Sequence, residues 1–287
     1  MNRIVELLDA SDAFPSPSGV IAEIVEVLND PDANFDKIGR SISMDPYLSG
    51  KVLGMANSAF YSRGKECTNV QQAIMRVGMD SLSGLVLGSF AAQSSGEMMG
   101  SSERLQAFWR HCLCVALLAK KITRRTQLPH QEQAYVAGIL HNIGTLAMQV
   151  LDGDSYANLL RRVEQGEDIL CLERELYGID HCELGFHVAQ RWKLPKGIAI
   201  AIEGHRHVEA MAADSEYRGL AALVAMGDIL SQDVFADDPS VVVVPYQAAQ
   251  LDAARAVTGL DEDACKIMLE ETQMIREEIA SLAAELF

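Results

Sequence analysis

The stretch GILHNIGTLAM, residues 138–148, decides how this chain is read. Ile139, Leu140, Ile143 and Leu146 recur at helical spacing, so the segment belongs to a buried helix. Gly138 and Gly144 carry no side chain and permit neighbouring helices to come close. His141 sits in the middle of this apolar run. A lone histidine there is either a core residue satisfied by one hydrogen bond or a ligand aimed at a shared site. Asn142 beside it presents a neutral amide where an aspartate would present charge; an amide oxygen cannot bridge two cations as a carboxylate can.

Working outward, helical periodicity dominates. VIAEIVEVLND (20–30) puts Val20, Ile21, Ile24, Val27 and Leu28 on one stripe, with Ser18 as the expected N-cap. NFDKIGRSIS (34–43) forms a second helix that ends before Asp45-Pro46, and Pro46 opens the next at its first position. VQQAIMRVG (70–78) and SLSGLVLGSFAAQ (81–93) are two more, separated by Gly78 to Asp80. The Gly/Ser-rich segment 94–102 reads as a surface connection between two helical halves. Beyond it, helices are expected over 105–126, 131–151, 154–165, 167–177, 181–192, 195–207, 216–231, 247–257 and 262–285. Val241 to Val244 is β-like but too short and solitary to build a sheet. The expected architecture is all-α.

The composition suits one large or two modest globular domains: 287 residues, 49% hydrophobic and 22% charged. A net charge of −16 argues against general nucleic-acid binding, and no basic patch stands out. The N-terminus lacks the apolar run of a signal peptide, and no stretch of about 18 apolar residues predicts a membrane span. Cysteines fall at 67, 112, 114, 171, 182 and 265 without a CxxC pair. They read as reduced, mostly buried thiols of a cytoplasmic protein rather than zinc ligands.

Seven histidines occur, all beyond residue 110. His111 falls within an apolar arc formed by Leu105, Phe108, Trp109, Cys112, Val115 and Leu118. His181 follows Asp180, which with Glu183 spells a capping box, so His181 lies in a first helical turn. His205 shares the stripe of Ile198 and Ile202, whereas His187 and His207 fit no such pattern and His130 sits in a loop. Asp228 joins the face of Leu220, Val224 and Gly227, where a carboxylate needs a partner. That partner is an arginine, a helix N-terminus, a histidine or a metal. Singly each residue is weak; together they suggest one polar site within an apolar bundle.

These residues, in this order, resemble the HD superfamily of metal-dependent phosphohydrolases and, within it, the HDOD group of bacterial signalling output domains. MDPYLSGKVLGMANSAFY (44–61) and VQQAIMRVGMDSLSGLVL (70–87) are similar to that group's signature block. WRHCLCVALLA (109–119), AGILHNIGTLAM (137–148) and YGIDHCELGFHVAQRWKLP (177–195) continue it, and the resemblance covers roughly 14 to 231. It implies a smaller N-terminal helical subdomain over 1–100, an HD-type helical core over 101–231, and a helical extension over 232–287 packed on that core.

It also implies that His111, His141, His181, His205 and Asp228 stand at positions that bind metal in active relatives. Three positions depart from the active pattern. Asn142 replaces the bridging aspartate, Arg206 stands where a second histidine often follows, and Thr145 replaces a lysine of the cyclic-dinucleotide hydrolases. The Gly-Tyr-Pro segment of those enzymes is missing too; HRHVEAMAAD (205–214) stands there. Two-metal hydrolysis needs bridging negative charge, and Asp228 is the one obvious carboxylate left. A mononuclear iron, manganese or zinc site on His111, His141 and Asp228, with His181 and His205 as weaker candidates, stays open. So does the reading in which Arg206 pairs with Asp228 in place of a cation, or simply points to solvent.

The leading expectation is therefore a non-catalytic signalling module acting on partner proteins. It rests on the resemblance, the altered motif and the lack of a recognisable fused catalytic domain. The alternatives are a phosphohydrolase with a reduced site and a nucleotide sensor without hydrolysis.

Overall fold

A computed structural model describes residues 3–11, 14–30, 35–62, 64–99, 103–238, 240–241 and 244–287, with backbone alone at 35–36 and 95–99. The described residues are helical, with no strand among them. In chain order the N-terminal helices are α1 (Arg3–Ala10), α2 (Gly19–Asn29), α3 (Phe35–Met44), α4 (Pro46–Asn57), α5 (Val70–Val77) and α6 (Met79–Met99). Then come α7 (Glu103–Thr123), α8 (Ala134–Leu140), α9 (Ile143–Leu151), α10 (Gly153–Val163), α11 (Ile169–Tyr177), α12 (His181–Arg191), α13 (Lys196–Gly204) and α14 (Arg218–Val234). The chain continues through α15 (Ala248–Thr258), α16 (Glu262–Gln273) and α17 (Arg276–Leu286).

The starts of these helices are written in local chemistry. Asp45 accepts from the backbone N–H groups of Tyr47 and Leu48 while Pro46 occupies the first helical position. Asn69, Asp168 and Asp180 cap α5, α11 and α12 in the same way. Ser18 has the extended backbone of an N-cap but makes no side-chain bond, so that expected cap is positional only. Asp180 accepts from the Glu183 N–H, as the box predicts.

Four boundaries differ from the sequence expectation. α1 carries Ile4, Val5 and Leu8 into the core and had no clear signal, because it spans barely two turns. The backbone of 94–99 is helical as the end of α6, contrary to the connection expected there, and 100–102 lie outside the described residues. The helix expected over 131–151 is a 3-10 turn (Gln131–Gln133) followed by α8 and α9, broken at His141-Asn142. Asn142 sits at φ −99°, ψ 19°, a bridge conformation that asparagine tolerates better than most residues. The helix expected over 262–285 is likewise interrupted at Met274-Ile275. Of the β-like run, Val241 and Val244 have no regular structure, and 242–243 lie outside the described residues.

α7 and α14 lie at the centre. α7 is buried continuously from Cys112 to Ala119 and α14 from Gly219 to Asp228, which is why neither shows a narrow apolar stripe. α8, α13 and α15 pack around this pair, and α9 packs on α12. A Cβ added to Gly138 would lie 2.6 Å from the Ala116 Cα, so only glycine lets α8 rest on α7. A Cβ on Gly144 would lie 1.9 Å from the His181 carbonyl oxygen. Those two approaches deliver His141 and His181 to the same place. The 131–151 segment is long and apolar enough to cross a membrane, contrary to the expectation that no stretch is; 78% of its apolar window is buried in the bundle.

α17 returns to pack against both α4 and α7. Ser89 donates to the Leu286 carbonyl at 3.1 Å, Lys51 reaches the carbonyls of Glu285 and Leu286, and Phe287 stacks on Trp109 at 4.6 Å.

Candidate functional site

His111, Asn142, Thr145, His181, Arg206 and Asp228 line one cavity of about 110 Å³. His141 and His205 lie directly beneath it, with 0% and 1% exposure. The ring centroids of His111 and His141 are 5.2 Å apart, those of His141 and His205 5.1 Å, and those of His181 and His205 5.9 Å. Four helices and two helix ends thus bring every singled-out position together.

Each ring is oriented by the nitrogen facing away from the cluster. The His141 Nδ1 lies 2.8 Å from the Gly138 carbonyl and the His205 Nδ1 lies 2.7 Å from the Ile202 carbonyl. A carbonyl can only accept, so both Nδ1 atoms carry a hydrogen, and in a neutral ring the lone pair then lies at Nε2. Neither Nε2 has a hydrogen-bond partner. Burial, outweighing the pull of Asp228, holds the His141 pKa well below the usual value and keeps the ring neutral.

His181 is fixed differently. Its Nδ1 and its backbone N–H both meet Glu173 Oε2, at 2.7 and 2.8 Å, and Tyr156 donates to Glu173 Oε1 at 2.6 Å. Glu173 and Tyr156 are fully buried. Burial opposes protonation of His181, but Cys182 and Glu173 beside it prevail and raise its pKa well above the ordinary value.

Asp228 is the most heavily engaged group. Oδ1 lies 3.2 Å from the His111 Nε2 and accepts from Gln232 at 3.1 Å. Oδ2 accepts from Tyr246 at 2.7 Å and from Arg206 at 3.3 Å. Burial works against this carboxylate, yet the hydrogen bond from His111 and the neighbouring charge of Arg206 hold its pKa well below the usual range. Arg206 is itself only 4% exposed. It donates to the carbonyls of Val244 and Pro245 and lies 3.8 Å over the Tyr246 ring. Of the two readings weighed for Arg206, the inward ion pair is the one observed.

Three ligand sets emerge among the described residues, each with its ligand atoms within 4.8 Å of one another: His111, His141 and Asp228; His181, Cys182 and His205; and Asp180, Cys182 and His207. These are candidate metal groupings. A two-metal phosphohydrolase centre does not fit them, since Asn142 supplies no bridging charge and both Asp228 oxygens already have two partners each. The buried Nε2 atoms of His141 and His205 have no hydrogen-bond partner among the described residues.

Several participants had little or no sequence signal. Glu173 stands on the apolar stripe of Ile169 and Leu172, and that position could have revealed it. Tyr246 comes from an irregular segment, and only folding brings it to Asp228. His207, which fits no pattern in sequence, lies 3.0 Å from the buried Asp180. Cys182 lies 3.8 Å from the His205 Nδ1; its burial agrees with the thiol reading, whereas Cys171 is exposed.

The all-helical core, with histidines from α7, the α8–α9 turn, α12 and the end of α13 facing Asp228 on α14, defines an HD-type bundle with an altered ligand set. The HDOD domain model matches residues 14–208, and the chain belongs to the HDOD family. An HDOD domain protein with unknown function from Geobacter sulfurreducens shares the fold at a TM-score of 0.78 and 24% identity, covering 99% of this chain and 97% of that one. A structure named "Putative phosphohydrolase" from Shewanella amazonensis matches with a TM-score of 0.75 and 27% identity over 98% of both chains. An uncharacterized protein of Treponema pallidum is 24% identical over 229 residues. That match spans 78% of this chain but 43% of the length of the curated relative.

Proposed function

We propose that this protein is a non-catalytic regulatory module of bacterial signal transduction, working in the cytoplasm by binding other proteins. One observation carries the reading: the buried guanidinium of Arg206 pairs with Asp228 Oδ2, so a cation of the chain itself offsets that carboxylate's charge. Tyr246, Gln232 and His111 complete that carboxylate's partners. A buried carboxylate with four donors is electrostatically satisfied, and a cation would have to displace at least one of them. The family assignment supports an HD-superfamily module and is consistent with this role.

The test is hydrolysis. Protein free of chelator and polyhistidine tag is incubated with cyclic dinucleotides, nucleotides and a generic phosphodiester in the presence of Mg²⁺, Mn²⁺, Fe²⁺ or Zn²⁺. The expected result is no turnover above that of His141→Ala, with less than one equivalent of metal by elemental analysis. Turnover that His141→Ala abolishes would overturn the proposal. Co-purification from the native cell then identifies the partner.

A second reading, a phosphohydrolase with a mononuclear site, is favoured by the unpartnered Nε2 atoms of His141 and His205. Stoichiometric iron, manganese or zinc is its signature. A nucleotide held without hydrolysis in the histidine cavity is the third reading, and a thermal shift on nucleotide addition tests it.

A further inference from the structure

A second cavity, of about 390 Å³, lies away from the histidines where three parts of the chain meet. Phe60, Tyr61 and Arg76 come from the α4–α5 region, Leu118 to Arg124 from the end of α7, and Thr272 to Ile279 from α16 and α17. Its walls are apolar and aromatic: Phe60 and Tyr61 stand edge to face at 4.8 Å, opposite Leu117, Leu118, Ile275 and Ile279. Its polar lining is cationic: Arg76, Lys120, Lys121 and Arg124, with no carboxylate among the lining residues. That is unexpected in a chain of net charge −16.

Ordinary structural duties account for only part of this charge. Lys120 and Lys121 lie in the last turn of α7, where cations complement the helix dipole. Lys121 also pairs with Glu271 at 2.6 Å. Lys120 donates to Ser81 at 2.6 Å and lies 5.5 Å from the Tyr135 ring. Burial lowers its pKa, with Asp80 nearby pulling the other way. Arg76 and Arg124 are not explained in this way. Arg76 spends one terminal nitrogen on the Ala56 carbonyl and the other on that of Lys65, leaving further N–H donors of its five unused. Neither Arg76 nor Arg124 forms an ion pair among the described residues. Two unpaired guanidinium groups beside an aromatic wall match an anion attached to a ring, because arginine donates in a fork to phosphate oxygens and a ring stacks on Phe or Tyr.

We propose that this cavity is a second ligand site, taking a nucleotide, with its phosphates against Arg76 and Arg124 and its base against Phe60 and Tyr61. The site is separate from the histidine cavity and does not depend on the function proposed above. Its walls belong to the N-terminal helices, the central bundle and the C-terminal helices, so an occupant ties the three together.

The experiment is calorimetric titration of the whole chain with ADP, GDP, adenosine and pyrophosphate at roughly 50 and 200 mM salt. Arg124→Glu is the informative variant, because Arg124 is exposed and holds no partner whose loss would unfold the chain. Arg104→Glu, at the mouth of the histidine cavity, is the control. ADP or GDP should bind with one-to-one stoichiometry, more weakly at higher salt, with adenosine and pyrophosphate each about tenfold weaker or worse. Arg124→Glu should weaken nucleotide binding by about tenfold or more at unchanged melting temperature, and Arg104→Glu should leave it unchanged. No binding of either nucleotide up to about 1 mM overturns the proposal. So does binding that is lost in Arg104→Glu but kept in Arg124→Glu.

Discussion

Asn142 places a neutral amide at the break between α8 and α9, and Arg206 brings a buried cation to Asp228. That buried cation offsets the charge of Asp228. Breaking a buried ion pair from one side leaves an uncompensated charge and costs about 3–5 kcal/mol. Arg206→Met should therefore lower stability by about that much in urea unfolding, and adding Asp228→Asn should restore part of it. Equal losses in the single and double variants would show that Arg206 acts through the Val244 and Pro245 carbonyls alone. The same pair predicts a pH dependence. The folded-state pKa of Asp228 lies below its unfolded value of about 3.9, so its contribution is complete above that value and is lost as pH falls through the folded value. The stability difference between wild type and Asp228→Asn should be constant from about pH 7 to 5 and change only below about pH 4. A difference that changes around neutrality would point to a histidine instead.

Among the helices, what matters is how closely they approach. α9 rests on α12 because Gly144 leaves room for the His181 carbonyl. Gly144→Ala should cost about 3 kcal/mol or more by overpacking, and should disturb His181 with it. Gly153→Ala, whose Cβ would meet nothing within 4 Å, should be neutral or slightly stabilising, by about 0.5 kcal/mol. Thermal melts of the two variants make the comparison; equal effects would refute the packing argument. Both central glycines could be read from the sequence, because glycine inside a strongly apolar helix has few other reasons to be there. The break at His141-Asn142 was not legible. Periodicity carries through two residues of altered backbone almost unchanged, so 131–151 read as one helix.

At the scale of the whole molecule, α17 clamps the N-terminal helices to the bundle. Leu286 is 1% exposed, and its carbonyl accepts from Ser89 and Lys51. Leu286→Ala should cost about 2–5 kcal/mol. Deleting 276–287 should split urea unfolding into two transitions, the N-terminal helices melting before the bundle. A single transition at an unchanged midpoint would show that the clamp contributes nothing.

The sequence by itself determined that the chain is all-helical, and it suggested that His111, His141, His181, His205 and Asp228 share one polar site. Those properties follow from apolar spacing, caps and glycine placement, all of which are local. It also displayed the three departures from the family pattern, Asn142, Thr145 and Arg206. Only the tertiary structure decided what the alterations do. Whether Arg206 turns to Asp228 or to water depends on Tyr246, Val244 and Pro245, nearly forty residues away in an irregular segment. The meeting of Arg76 with Arg124 around one cavity depends in the same way on contacts between distant segments. No local pattern encodes such contacts, because they are set by how whole helices pack.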